Sequence, residues 1–102
     1  RGADYASAVA ANARGVGHME QFEYAKAAAE FEQAARLAPD WLPARVNHGI
    51  ALFNQSEPGA VAAARRVFAE VLRADPDNRH ARYCLGVIDA SDARTADAHA
   101  HF

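Results

Sequence analysis

The chain has 102 residues, 51% of them apolar by a broad count, with 11 Lys or Arg, 13 Asp or Glu and a formal charge of -2. That size fits one domain with a modest core, and the interspersed charges supply no field to draw it to nucleic acid or to an anionic membrane. Cys84 is the single cysteine, which excludes an intrachain disulfide and a cysteine-rich metal site.

Alanine is abundant, and Gly and Pro cluster between apolar runs, so an all-α chain is expected. No run approaches the roughly 20 apolar residues that span a bilayer, and no secretory signal pattern opens the chain. Six helices are predicted, near 5–21, 24–38, 42–54, 59–74, 79–90 and 92–102. The first ends at Gln21-Phe22-Glu23, a turn without glycine. The second, within "YAKAAAEFEQAARLAPD", is closed by Pro39, which has no N–H to continue a helix, and Asp40 follows as a candidate cap. Asn54-Gln55-Ser56-Glu57-Pro58-Gly59 reads as a lengthened turn. Pro76 closes the fourth helix, and Ser91 is a candidate cap between the fifth and sixth.

The chain repeats itself. Ala27, Phe31 and Pro39 recur as Ala64, Phe68 and Pro76, each offset by 37 residues, and Ala98 and Phe102 recur another 34 on. Gly15, Gly49 and Gly86 are spaced by 34 and then 37, so three extra residues enter between Gly49 and Ala64.

A small residue, A-x3-F and a closing proline at a spacing of about 34 resemble the tetratricopeptide repeat. The other half of that pattern, W-x2-L-G-x2-Y, is replaced: the tryptophan slots hold Ala11, Arg45 and Arg82, the leucine slots Arg14, His48 and Leu85, and the tyrosine slots His18, Leu52 and Asp89. The resemblance implies a right-handed superhelix (solenoid) of antiparallel helix pairs, a single domain over 1–102. Its repeats fall at about 8–41, 42–78 with the three-residue insertion, and 79–102, truncated. The small residues would lie where paired helices cross, with Phe31, Phe68 and Phe102 between layers.

The resemblance also implies a concave surface built from the first helix of each pair. It would be lined by Val9, Asn12, Ala13, Val16 and Met19, then Val46, Asn47, Ile50, Phe53 and Asn54, then His80, Tyr83, Cys84, Val87 and Ala90. Such a groove would take a protein or peptide segment through apolar anchors, with hydrogen bonds from Asn12, Asn47 and Tyr83. Apolar periodicity leaves a second reading open, in which these side chains are half-buried core or are covered by a further helix. The family's carboxylate clamp is disfavoured: Asn47 alone has the right type, and His80, Cys84 and Val16 stand where cations and an asparagine would be needed.

Other chemistry is weakly represented. His80 and Cys84 lie four apart and could share a zinc ion, but no third ligand accompanies them, and His99 and His101 are expected to be exposed. His18 and His48 read as packing residues. Ser7, Ser56 and Ser91 read as turn or cap serines, Trp41 as a seal between repeats, and Glu20, Glu23, Glu30 and Glu32 with Lys26 and Arg36 as a solvated face. No catalytic arrangement or phosphate loop is visible, so neither an enzyme nor a cofactor is expected. The leading expectation is an interaction module; the alternative is self-association or rigid spacing within a larger protein. Arg1 at the start suggests a processed or excised chain, and Phe102 in mid-pattern suggests that more chain or a second copy covers that end. The stretch "GHMEQFEYAKAAAEFEQAARLAPDWLPARVNHGIALFN" also resembles the leading repeats of large bacterial exported proteins with propeller-like repeats, which would imply a periplasmic or extracellular setting.

Overall fold

Alanine-rich runs separated by proline-bearing turns fold into consecutive helices, since alanine gives up no side-chain freedom in a helix and proline cannot donate within one. A computed structural model describes residues 2–55 and 57–100, with side chains for 4–55 and 57–91. It contains α1 (Gly2–Glu20), α2 (Tyr24–Leu37), α3 (Leu42–Asn54), α4 (Ala60–Ala74) and α5 (Arg79–Ala100), with no strand among the described residues. Each helix packs on the next in sequence, and α3 also touches both α1 and α5. The stack measures 54 × 31 × 18 Å.

The connections show what stops each helix. After α1 the Phe22 N–H donates to Met19 O at 3.0 Å and the Glu23 N–H to His18 O at 2.8 Å, a closure that holds Phe22 at φ 61°. Glycine is favoured at such a position because a β-carbon crowds it. Asp40 does not cap α3; the residue at that position is Trp41, and Pro43 stands in the first turn. Proline's fixed φ suits the first turn of a helix, so α3 starts beyond Asp40. Gly59, at φ 84°, opens α4. Asn78 caps α5, its Oδ1 accepting from the Ala81 N–H at 2.9 Å. Ser56 lies outside the described residues.

The two helices expected at 79–90 and 92–102 are instead one continuous α5 through Ser91 to Ala100. Neither glycine nor proline occurs between Val87 and Phe102. Serine and aspartate within a helix cost only a few tenths of a kcal/mol, about 0.5–0.7 each against alanine, so nothing local breaks it. The side chains of Ala98 and His99 lie outside the described ones, and His101 and Phe102 lie outside the described residues.

The core is built around two rings. Phe31 and Phe68, 1% and 0% exposed, are its largest buried side chains. A β-carbon placed on Gly15 would stand 2.7 Å from Phe31 Cδ1, and one on Gly49 would stand 2.6 Å from Phe68 Cζ. The glycines therefore let each ring approach the backbone of the preceding helix. Ala8, Ala11, Ala34 and Ala44 are fully buried beside half-buried Trp41, whose ring meets Tyr5 edge-on with centroids 5.4 Å apart. Trp41 thus seals the junction between α1, α2 and α3. Towards the other end Phe68 and Val71 of α4 meet Ala81 and Ile88 of α5.

Three of the positions that depart from the tryptophan-leucine-tyrosine pattern, Arg14, His18 and Asp89, carry charged contacts instead. Arg14 Nε donates to Glu30 Oε1 at 3.1 Å, tying α1 to α2, and Arg65 of α4 pairs with Asp89 of α5. His18 Nδ1 lies 2.9 Å from Glu23 Oε1. That hydrogen bond, with a second from Lys26, holds the Glu23 carboxyl below the ordinary carboxylate range.

Candidate functional site

The odd-numbered helices present one face of the stack, and three recesses along it share lining residues. The first, about 320 Å3, lies between α1 and α3, among Val16, Met19, Glu20, Phe31, Asn47 and Ile50. The second, about 330 Å3, is walled by Pro43, Val46, Asn47, Ile50, Asn78 and His80. The third, about 380 Å3, lies between α3 and α5, among Ile50, Phe53, Phe68, His80, Tyr83, Cys84 and Val87. Ile50 lines all three, Asn47 the first two and His80 the last two, so together they form one trough with Ile50 near its middle.

The residues expected to line a groove divide by depth. Tyr83 is 73% exposed and Val16 42%, a large aromatic and an aliphatic left in water. Met19, Asn47, Ile50, Phe53, Cys84 and Val87 are half-buried. Val46 is 6% exposed and packs with Phe68 and Ile88, and it also walls the second recess. Val9 and Ala13 are exposed on α1, and Asn54 and Ala90 at the ends of their stretches, with none of the four lining a recess.

Asn12 and Asn47 are brought together. Asn47 Nδ2 donates to Asn12 Oδ1 at 3.1 Å, linking α1 to α3 across 35 residues of sequence. An amide offers two donors and an acceptor with two lone pairs, so this contact engages one N–H of Asn47 and one lone pair of Asn12. Donors and acceptors side by side match a peptide backbone, which presents both.

Glu20 is the one carboxylate among these lining side chains, and neither lysine nor arginine occurs among them. Burial pushes the Cys84 thiol up from its ordinary pKa. The neutral thiol is a poor nucleophile and a poor metal ligand. Among the described residues no three His, Cys, Asp or Glu side chains gather as a metal site, and no helix is long and apolar enough to cross a membrane.

Pro43, Asn78 and Glu20 also line the trough, although the repeat pattern does not single them out. Asn78 carries a sequence signal of its own, an asparagine just before a helix start; Pro43 and Glu20 carry none. Away from the trough, Phe22 is 76% exposed and meets Tyr24 edge-on at 6.3 Å.

Comparison with known proteins agrees with the helical-repeat fold. The sequence model of the family described as tetratricopeptide repeat matches residues 8–41. Protein NPG1 of Arabidopsis thaliana is 35% identical over 78 residues, which is 74% of this chain and 11% of that protein. The chain thus matches only a small part of that relative. No solved structure matches.

Proposed function

From the premise that this chain belongs to the tetratricopeptide repeat family, whose repeats are generally protein–protein interaction modules, we propose that it binds a peptide segment of another protein in the trough across α1, α3 and α5. The observation that carries this reading is the continuity of three apolar recesses through Ile50, flanked by the exposed ring of Tyr83. Apolar side chains of the partner enter the recesses and displace water from Ile50, Phe53 and Val87, the dominant favourable contribution in such association. The Asn12–Asn47 pair holds the partner's backbone and fixes its register. With one carboxylate and no cation among the lining residues, the partner is not selected by acidic groups, which require cations to receive them.

A panel of fluorescent dodecapeptides, half of them apolar and uncharged and half rich in acidic residues, tests this by anisotropy. Apolar peptides are expected to bind, and Tyr83→Ala to weaken them by about tenfold or more, the loss of a well-packed aromatic anchor. Tyr5→Ala, remote from the trough, is the control. Binding that survives both Tyr83→Ala and Ile50→Asp, or that favours the acidic peptides, rules the trough out as the site.

A further inference from the structure

Trp41 seals the junction of the first three helices, yet it also walls an opening to solvent. With Tyr5, Leu37, Ala38, Pro39 and Asp40 it lines a recess of about 330 Å3 at the connection between α2 and α3. This recess shares no lining residue with the trough, so an uncharged segment held in the trough is indifferent to Tyr5. The rings of Tyr5 and Trp41 are inclined at 67° with centroids 5.4 Å apart, so their faces bound a common corner, and Tyr5 is 50% exposed. An aromatic face is negative and attracts a cation lying within about 6 Å of the ring centroid, most strongly for tryptophan. Asp40 brings a carboxylate to the same opening, and it has no ion-pair partner among the described residues. Arg36, the arginine before it in sequence, is engaged with Glu32 at 2.9 Å.

Charge alone would suit any ammonium; the walls narrow the class. An unmodified lysine head carries three N–H donors and holds its water tightly, and a single carboxylate meets only part of that need. Methylation removes the donors and keeps the charge, which leaves a head that needs ring faces more than acceptors. A phosphocholine head pairs the same cation with a phosphate, and neither lysine nor arginine lines the recess to receive it. We propose that the corner of Tyr5, Trp41 and Asp40 binds a trimethylated lysine side chain of a partner protein. The ammonium lies against the two ring faces beside Asp40, and the four-carbon stem lies along the apolar wall of Leu37, Ala38 and Pro39. The trough is not involved, so the two readings stand or fall separately.

Trp41 is the only tryptophan of the chain, so its emission reports on the corner. A nonapeptide of glycine and serine with one central trimethyllysine lacks apolar anchors for the trough and serves as the probe, titrated by Trp41 emission and by calorimetry. Beside it run the same peptide with unmodified lysine, the neutral analogue with carbon in place of the ammonium nitrogen, and free phosphocholine. The trimethyllysine peptide is expected to bind about tenfold more tightly than either the lysine peptide or the neutral analogue. Tyr5→Leu keeps apolar area and removes a ring face, and Asp40→Asn removes only charge; each should weaken binding by about threefold or more with an unchanged circular dichroism spectrum. Equal binding of the neutral analogue would make the corner an apolar contact alone, and equal binding of unmodified lysine would make it a carboxylate site. Either result overturns the proposal, as does a preference for phosphocholine, the absence of binding, or an affinity that survives either substitution.

Discussion

The ring of Phe31 occupies space that a β-carbon on Gly15 would need, with that carbon only 2.7 Å from Phe31 Cδ1. Two residues along the same helix, a β-carbon on Gly17 would meet nothing within 4 Å. The same substitution should therefore change stability in opposite directions. Gly15→Ala is expected to lose about 1–3 kcal/mol by overpacking, and Gly17→Ala to gain about 0.5–1 kcal/mol from helix preference. Urea unfolding measures both. Shifts of one sign would mean that the Phe31 ring does not hold this position.

Phe22 is a second place where a residue type conflicts with its backbone. At φ 61° and 76% exposed, it has a crowded conformation and little burial to offset it. Phe22→Gly is expected to stabilise by about 1 kcal/mol, the left-handed cost removed less the edge contact with Tyr24. For a chain of this size that raises the melting point by about 4–8 °C. A lower melting point would show that the aromatic pair outweighs the strain.

Acid should weaken the fold through His48. This side chain is half-buried on α3, near Glu32 and Arg36 of α2 and Glu70 of α4. Burial lowers its pKa from the ordinary 6.5; Glu32 opposes that, Arg36 adds to it and Glu70 opposes it. The unfolded chain therefore takes up this proton first as pH falls. Stability from the neutral imidazole is complete above the unfolded value and is lost as pH drops from there through the folded one. Between about pH 7 and 5, around the ordinary histidine range, the wild-type chain should lose stability more steeply than His48→Gln. Equal slopes would take His48 out of the account.

Asn12 and Asn47 can be tested as a pair. A double-mutant cycle of Asn12→Ala, Asn47→Ala and the double variant should give a coupling of about 0.5–1.5 kcal/mol, the net worth of a hydrogen bond between neutral groups. Additive effects would mean that the amide contact is not maintained in solution.

The first four helices and the buried phenylalanines were legible because both leave periodic traces. The range 42–54 matches α3, and 24–38 and 59–74 each differ from α2 and α4 by one residue. The offsets of Phe31 and Phe68 marked them before their glycines were seen to receive them. The continuity of α5 was not legible, since Ser91 has the same side chain whether it caps a helix or sits inside one, and only a breaker would have separated the cases. Nor could sequence show that Asn12 meets Asn47: matching positions in successive repeats place them on one face, but not within bonding distance. Asp40 misled for a related reason, its capping chemistry being overridden by Pro43. The depth of Val46 against the exposure of Tyr83 was hidden too, because both are apolar-face residues at helical spacing.

The separation from Gly15 to Phe31 is 16 residues and that from Gly49 to Phe68 is 19, yet both rings reach their glycines. The seating of α4 on α3 is thus dictated by the ring and not by the chain between them. Lengthening a flexible surface connection costs only about 0.6 kcal/mol per doubling. An epitope or a fluorophore-binding tag inserted beside Pro58 is therefore expected to leave the contact of Phe68 with Gly49 in place.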